Sequence, residues 1–577
     1  MFLTYLVCVL LIVFTPVQHW LGLDKRVKPS VVLRILVNVF FRTSSSVARR
    51  PKRAATKKPA VEWTKQGQST QSAILYRAEL VPSKLDAIVV GSGIGGLSTA
   101  AVLAKAGWRV LVLEQHTVAG GSCHTFSERK HYTFDTGIHF VGQMDPVSSA
   151  NCRVLNALAA DRIEWQSNGD PFDHLTVRDA CNNETHTYQF GTGMQNAQQT
   201  LLKAFPNDAA AVNEFFRLLS LDRSISTAFV LGKLLPIWVF KLIYKWKLYK
   251  LMGALSNFFE LAQRNAIDVI NELTDNEELR AVLLYLLPTI GFDLHTAPWF
   301  MLSGVWNHYM TMGSWYPKGG GDTISQNLVP TILASGGQVL VRADVTAINV
   351  DESGQARGYY KYGTKSNGLS LHMMFVGVKA SASELGVDKR NQIYMNGDNL
   401  VERLGEYLRS DLHTLLEQPP PFYLITFPST KTGAQSQEHT TCVMSVPTCS
   451  RAYSQFQSST HKRRPIDYKQ YKRELTQLFA EILLSHYPQL ENKIEYMDLA
   501  SPLSIEHYVR SEGGSIGRLI HDQERFHPMS VAELRPETDV PGLYLTGQDV
   551  FVGGIAGALD GGLMCSEVLL HKYGCRD

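Results

Sequence analysis

The chain has 577 residues, with 56 Lys and Arg against 53 Asp and Glu, 45% hydrophobic residues and 19% charged residues. That length exceeds one hydrophobic core, so two or three folded units are expected. A net charge of +3 and ordinary composition exclude a disordered or collagen-like chain and leave no nucleic-acid-binding signature. Eight cysteines are scattered without a CxxC pair, which argues against a zinc ribbon or thioredoxin-type centre; no metal site is expected, and the thiols read as free, with Cys442 and Cys449 the one pair close enough in sequence to join.

Met1 to Leu23 is uncharged and largely apolar. It reads as a signal peptide or a membrane anchor, and both readings route the chain to the endoplasmic reticulum membrane. Lys25 and Arg26 favour a cytosolic flank. Residues 24–80 follow as a basic linker, richest in Arg, Lys, Ser and Pro over 42–60, where too little apolar surface exists to fold. Asn183-Glu184-Thr185 is a lone glycosylation sequon, meaningful only on a lumenal face.

The stretch from Leu85 to Glu114 carries the first chemistry. Leu85 to Val90 is short and β-branched, as a buried parallel strand requires; Gly91-Ser92-Gly93-Ile94-Gly95-Gly96 follows, then a helical run to Ala106, a strand over Trp108 to Leu113, and an acid. Strand, GxGxxG, helix, strand and acid in that order form a dinucleotide fingerprint. Gly91 permits the tight turn, Gly93 lets backbone approach a pyrophosphate, and Gly96 lets helix and strand pack. The helix start offers free amides and partial positive charge. Glu114, with Gln115 beside it, suits the ribose hydroxyls, and its carboxylate disfavours a 2′-phosphate there.

Two more segments separate FAD from NAD. Gly120-Gly121-Ser122 lies just past the acid, ahead of Phe134-Asp135-Thr136-Gly137-Ile138-His139, and lets a loop fold back over the pyrophosphate. Near the far end, Leu543 to Thr546 reads as a strand, followed by Gly547-Gln548-Asp549 and a final helix from Gly553, Gly554 and Ile555. Asp549 suits the ribityl and phosphate region, and the helix start would stabilise a reduced flavin. A third segment, Trp315 to Asp322, precedes a helix to Ala334 and a strand over Val339 to Val341; a strand at Val345 is expected to hold the adenine edge, with Tyr316 and Lys318 either near the flavin or in a polar turn.

Phe229 to Leu251 interleaves Lys233, Lys241, Lys245, Lys247 and Lys250 with Trp238, Phe240, Tyr244 and Trp246. Two readings stand: an interfacial amphipathic helix with snorkelling lysines, or a core-facing helix with a basic solvated face. It is too charged to span a bilayer.

Taken together, GSGIGGLSTAAVLAKAGWRVLVLEQHTVAGGSCHTF, FDTGIHFVG, WYPKGGGDTI and LYLTGQDVFVGGIAGAL resemble the phytoene desaturase and carotenoid isomerase flavoprotein family over about residues 80–570. The resemblance implies an α/β fold: a Rossmann-like, amine-oxidase-like FAD domain (81–150, 311–370 and 530–577) interrupted by a substrate domain (151–310 and 371–529). It implies an oxidoreductase that saturates the 13,14 double bond of all-trans-retinol to the dihydro product at the endoplasmic reticulum membrane. It implies FAD as cofactor, a retinoid or polyene lipid as substrate and a membrane surface as partner. No second GxGxxG follows a strand, so NADH, NADPH or another protein must donate electrons transiently. His139 is the candidate for the proton step. The run after Asp351 is shortened against the family pattern, which puts the second crossover of the FAD domain in question. Two alternatives are a polyene isomerase or desaturase on the same fold, and a non-enzymatic lipid escort, against which the intact Gly91, Gly93, Gly96, Glu114 and Asp549 argue.

Overall fold

The computed structural model describes residues 74–178, 184–251, 253–349, 369–396, 399–433, 436, 438–459, 463–516 and 519–575. The apolar run at Met1–Leu23, residues 24–73 of the expected linker, Asn183 and residues 352–368 of the shortened run after Asp351 lie outside the described residues, whereas Ile74–Leu75 at the end of that linker is a strand of the first sheet.

The first unit begins with β1 (Ala87–Val90), α1 (Ile94–Lys105) and β2 (Val110–Glu114). Gly107, at φ +91°, ends the α1 turn where an L side chain would be strained. A hairpin follows, β3 (Thr125–Glu128) and β4 (Tyr132–Asp135). The chain then leaves through β5 (Asp173–Arg178), β6 (Thr185–Phe190) and a helical layer that includes α2 (Asp222–Leu234), α3 (Ile237–Lys245) and α4 (Trp299–Met312). It returns through α5 (Thr323–Ala334) and β7 (Gln338–Val341). β8 (Ser370–Val378), β9 (Asn391–Asn396), β10 (Phe422–Thr426), β11 (Thr440–Thr448), α6 (Ile466–His486) and β12 (Ile494–Ala500) precede the last helix, α7 (Gly554–Tyr573).

Two sheets organise these elements. The first is parallel, in the order Ile74–Leu75, β7, β2, β1. α1 packs against α7 and α5 on one face of this sheet, and its Ala100, Ala101 and Leu103 are fully buried. The second sheet has seven strands in the order β12-β8-β11-β10-β9-β5-β6, antiparallel except where β9 runs parallel to β5. It joins strands from either side of α5 and β7, so the chain crosses between the units more than once.

Two expected strands are corrected. Leu543 to Thr546 forms no strand; its one sheet-like contact is a bridge from Tyr544 to Glu537. Val345 lies in an irregular stretch, 343–349, and not in a strand. In consequence β1 is the sheet edge among the described residues, with Ile88 55% and Val90 46% exposed.

The basic, aromatic stretch is not one helix. Pro236 has no N–H to continue α2, and the chain turns there into α3 and then a short 3₁₀ turn over Leu248–Leu251. Lys233 does not snorkel: it is 4% exposed and donates to the Leu534 carbonyl at 2.6 Å. Phe240 is fully buried. Trp238, Leu242, Trp246 and Leu248 do face outward. No helix among the described residues is long and apolar enough to cross a membrane.

Candidate functional site

One cavity of about 2900 Å³ runs between the two units. That is several times the volume of a usual small-molecule pocket, enough for a dinucleotide and a second, extended ligand.

One wing is built by glycines. The N-terminus of α1 faces it, and nothing stands within 4 Å of a Cβ placed on Gly93. The next two glycines, inside α1, have no such freedom. A Cβ on Gly95 would collide with the Gly547 backbone, and one on Gly96 with the Gly91 carbonyl. A Cβ on Gly121 would come within 2.9 Å of Gly93 Cα. The Gly120–Ser122 loop, the α1 start and the Gly547 turn are therefore packed backbone to backbone, in a cradle that leaves space at Gly93. α7 brings a second helix start, at Gly553, to the same wall.

Glu114 is 6% exposed and holds this cradle together. Its Oε2 accepts from the Ser92 N–H at 2.9 Å and the Ser92 hydroxyl at 2.6 Å, and its Oε1 accepts from the His116 N–H at 2.7 Å. A carboxylate has about four lone-pair sites, so one remains for a ribose hydroxyl. Ser92 Oγ in turn accepts from the Gly120 N–H at 3.0 Å.

Of the residues expected at the cofactor, Gly91, Gly93, Ile94, Gly95, Gly96, Glu114, Gln115, Gly121, Ser122, Val345, Gly547, Asp549 and Ile555 line the cavity. Ser92 and Gly120 do not: Ser92 is fully buried and serves as the tie between Glu114 and the Gly120 loop. Tyr316 is also turned away. It is buried and donates its hydroxyl to Asp135, while Lys318 pairs with Glu164 at 2.9 Å on the surface. Gln115 is engaged at the rim, donating to the Tyr508 carbonyl at 2.7 Å and accepting from Arg510 at 3.0 Å.

The second wing is apolar. Phe229, Val230 and Ile237 come from α2 and α3, Phe300, Met301 and Val305 from α4, and Met373 and Leu424 from the large sheet. His139, His308 and Tyr309 are also among the lining residues. Burial holds the His139 imidazole down to about 3, so it is neutral at physiological pH. His308 lines the cavity with its ring against Gly142, and burial lowers its imidazole to about 4.

Behind His139 lies a buried ionic cluster. Lys431 donates to the His139 carbonyl and to Asn391 Oδ1, both at 2.9 Å, and Asn391 donates to Asp173 at 2.8 Å. Burial pulls the Lys431 ammonium down to about 7 and pushes Asp135 up to about 7 and Asp173 to about 6. His308, Tyr309 and Lys431 had no motif to announce them: the cavity wall is made from distant segments. No cluster of potential metal ligands occurs among the described residues, and the described cysteines are free.

A glycine cradle between two helix starts, an acid at the end of β2 and an apolar wing in the same cavity define a two-domain dinucleotide-binding oxidoreductase. Residues 89–153 match the NAD(P)-binding Rossmann-like domain family. The fold is similar to that of a putrescine oxidase variant with a redesigned cofactor-binding site, with a TM-score of 0.53 and 13% identity, covering 85% of this chain and 99% of that one. The sequence is 33% identical to the all-trans-retinol 13,14-reductase of Danio rerio, over 86% of this chain and 88% of that protein. It is 29% identical to the all-trans-retinol 13,14-reductase of Homo sapiens, over 94% and 95%. The chain belongs to the all-trans-retinol 13,14-reductase family.

Proposed function

We propose that this protein is an FAD-dependent oxidoreductase that saturates the 13,14 double bond of all-trans-retinol. One observation carries the reading: residues of the glycine cradle and of an apolar wing line the same cavity of about 2900 Å³. The relatives' activity supports it. FAD held in the cradle would supply hydride chemistry suited to saturating a conjugated alkene. The chain's own residues hold the dinucleotide through the α1 start, Glu114 and the α7 start, and exclude water from the alkene with Phe229, Phe300 and Met301. His139, expected to handle the proton, carries no spare proton at neutral pH. It suits hydrogen bonding to a polar group better than proton delivery.

The electrons come from NADH, NADPH or a protein donor in transient contact, since the single glycine cradle is taken by FAD. The protein works at a membrane surface, which we assign to the endoplasmic reticulum from the apolar run Met1 to Leu23. The exposed Trp238 and Trp246, set among Lys241, Lys245 and Lys247, support the same reading. Ile237, next to Trp238, already lines the apolar wing.

The test is anaerobic incubation of the photoreduced, FAD-loaded protein with all-trans-retinol. The expected product is heavier by two hydrogens. An isomer of unchanged mass would move the assignment to a polyene isomerase, and a chain that cannot be loaded with FAD would leave the lipid-escort reading.

A further inference from the structure

The helix Pro502–Val509 follows β12 and packs against β12 and β8 of the large sheet. It ends at Arg510, whose backbone is left-handed, with φ +57° and ψ +30°. Glycine takes that position at a helix end without strain, so an arginine there costs conformational energy. The Arg510 side chain makes contacts that offset the cost. Its Nε donates to Gln115 Oε1 at 3.0 Å, and a terminal guanidinium nitrogen pairs with Asp344 Oδ2 at 2.9 Å. Gln115 in turn donates its amide to the Tyr508 carbonyl at 2.7 Å. Next to it the His116 ring meets the Tyr508 ring edge-on, with centroids 5.5 Å apart.

These contacts fall at one place in the fold. β2 ends at Glu114 and β7 at Val341, and those two residues are partners in register. Gln115 and Asp344 therefore stand just beyond the carboxyl ends of neighbouring parallel strands, the edge at which open parallel sheets bind ligands. Gln115, His116, Asp344, Tyr508 and Arg510 all line the cavity, as does Glu114, whose spare lone-pair site suits a ribose hydroxyl. A stretch that follows the large sheet is thus fastened to the first unit at the ribose end of the glycine wing. The fastening is wet. The Arg510 and Asp344 side chains are 56% and 53% exposed, and an ion pair in that setting is weak and is screened as salt rises. Such a pair suits a contact that opens and closes better than one that holds the fold together.

We propose that Arg510, Gln115 and Asp344 form a clasp at the adenosine end of the dinucleotide site, and that its opening limits the release of FAD. The assignment rests on the FAD reading above and adds to it an exit that salt loosens. The clasp ties Tyr508 to Ser511 to the strand ends beside Glu114, so a dinucleotide held by Glu114 departs when the tie is open. Arg510 acts through Gln115 and Asp344 and is a positioning residue, with no part in the chemistry.

The experiment loads the full chain with FAD and reads flavin absorbance per protein after timed gel filtration, at low and at high salt. Release from the wild type should quicken between about 0.02 M and about 0.5 M salt, as the screening length falls from roughly 20 Å to roughly 4 Å. Arg510→Gly should release FAD about 3- to 10-fold faster at low salt and lose most of the salt dependence. Because glycine accepts the left-handed backbone, the cofactor-free variant should unfold at the wild-type temperature or above it. A lowered temperature would assign Arg510 to the fold and sink the clasp. Asp344→Asn, an isosteric change at an exposed residue, keeps the test open even if Arg510→Gly folds poorly. It should also speed release, and combining it with Arg510→Gly should add nothing further. The proposal is overturned if Arg510→Gly and Asp344→Asn release FAD at the wild-type rate, if the salt dependence survives in Arg510→Gly, or if the two effects simply add. A wild type that takes up no FAD overturns the cofactor reading itself, a result distinct from loading followed by unchanged release.

Discussion

Glu114→Ala should unfasten the cofactor cradle even before any cofactor is added. The carboxylate accepts from the Ser92 N–H, the Ser92 hydroxyl and the His116 N–H, at 2.6 to 2.9 Å. Ser92 is fully buried, so its amide cannot turn to water for a substitute. A hydrogen bond to a charged group contributes about 1.5–3 kcal/mol, and a stranded buried donor costs about 1–3 kcal/mol. The Ser92 hydroxyl can rotate towards another acceptor, and His116 is closer to solvent, so the loss falls at about 2–4 kcal/mol and not at the sum of three bonds. At 1.4 kcal/mol per tenfold, amide exchange over Ser92 to Gly96 and at Gly120 should accelerate by about 30- to 700-fold in the cofactor-free protein. In the loaded protein the ratio of flavin absorbance to protein should fall through faster release. Glu114→Gln keeps one carbonyl acceptor and should lie between. Unchanged exchange in Glu114→Ala, together with unchanged flavin retention, would refute both the tie to Ser92 and the ribose contact.

Gly95→Val should abolish flavin loading, read as flavin absorbance per protein, because even its Cβ collides with the Gly547 backbone. Gly304→Ala is the opposite case: it lies inside α4 with nothing within 4 Å of an added Cβ, so the purified protein should keep its fold and gain up to about 1 kcal/mol from the better helix former. The neutral imidazoles predict a pH effect with a definite sign. Lowered His308 and His139 values mean that the folded state binds fewer protons than the unfolded one between about pH 6.5 and 4, so stability falls as pH falls through that window. Asp135 and Asp173, raised by burial, act in the opposite sense, so the comparison is between His308→Leu and wild type. The variant should lose less stability from pH 6.5 to 5, by up to about 2 kcal/mol, in denaturant midpoints measured at each pH. Replacing Trp238 and Trp246 together by Ser should weaken sedimentation with anionic lipid vesicles at least about tenfold, without changing flavin content.

The cradle was legible because its geometry is local. A turn that collides with any Cβ at Gly96 must be written with glycine, and the acid must follow one strand later, so Gly91 to Glu114 carries its own explanation. The same locality misled at Leu543 to Thr546, whose LYLT pattern fits a strand while strand formation depends on a partner that β1 does not supply. Ser92 was placed at the cofactor by its position in the motif, whereas its side chain turns inward to Glu114. At Phe229 to Leu251 the density of Lys and Trp outweighed Pro236, the residue that divides the helix, and gave no sign that Lys233 would be buried against Leu534. His308 and Tyr309 belong to α4, and only the tertiary fold brings them to the cavity wall.

The edge of the parallel sheet connects these observations. Parallel strands are normally covered on both faces and flanked on both sides. Here β1 has β2 on one side, and the cavity itself runs along Ala87 to Val90 on the other, reaching across to Leu543–Thr546. The segments that shape the glycine wing therefore meet through backbone contacts at Gly93, Gly95, Gly121 and Gly547 and through two polar ties, the Glu114 carboxylate to Ser92 and His116 and the Thr99 hydroxyl to that of Thr546. An additional strand between β1 and Leu543 would hold the α1 start and the Gly547 turn in register by ladder hydrogen bonds. Without one among the described residues, that register depends on close packing, which a single Cβ disrupts, and on side-chain hydrogen bonds, among them Thr99 to Thr546 at 2.7 Å. This is why Glu114 and Gly95 are expected to matter to the empty protein as well as to the loaded one.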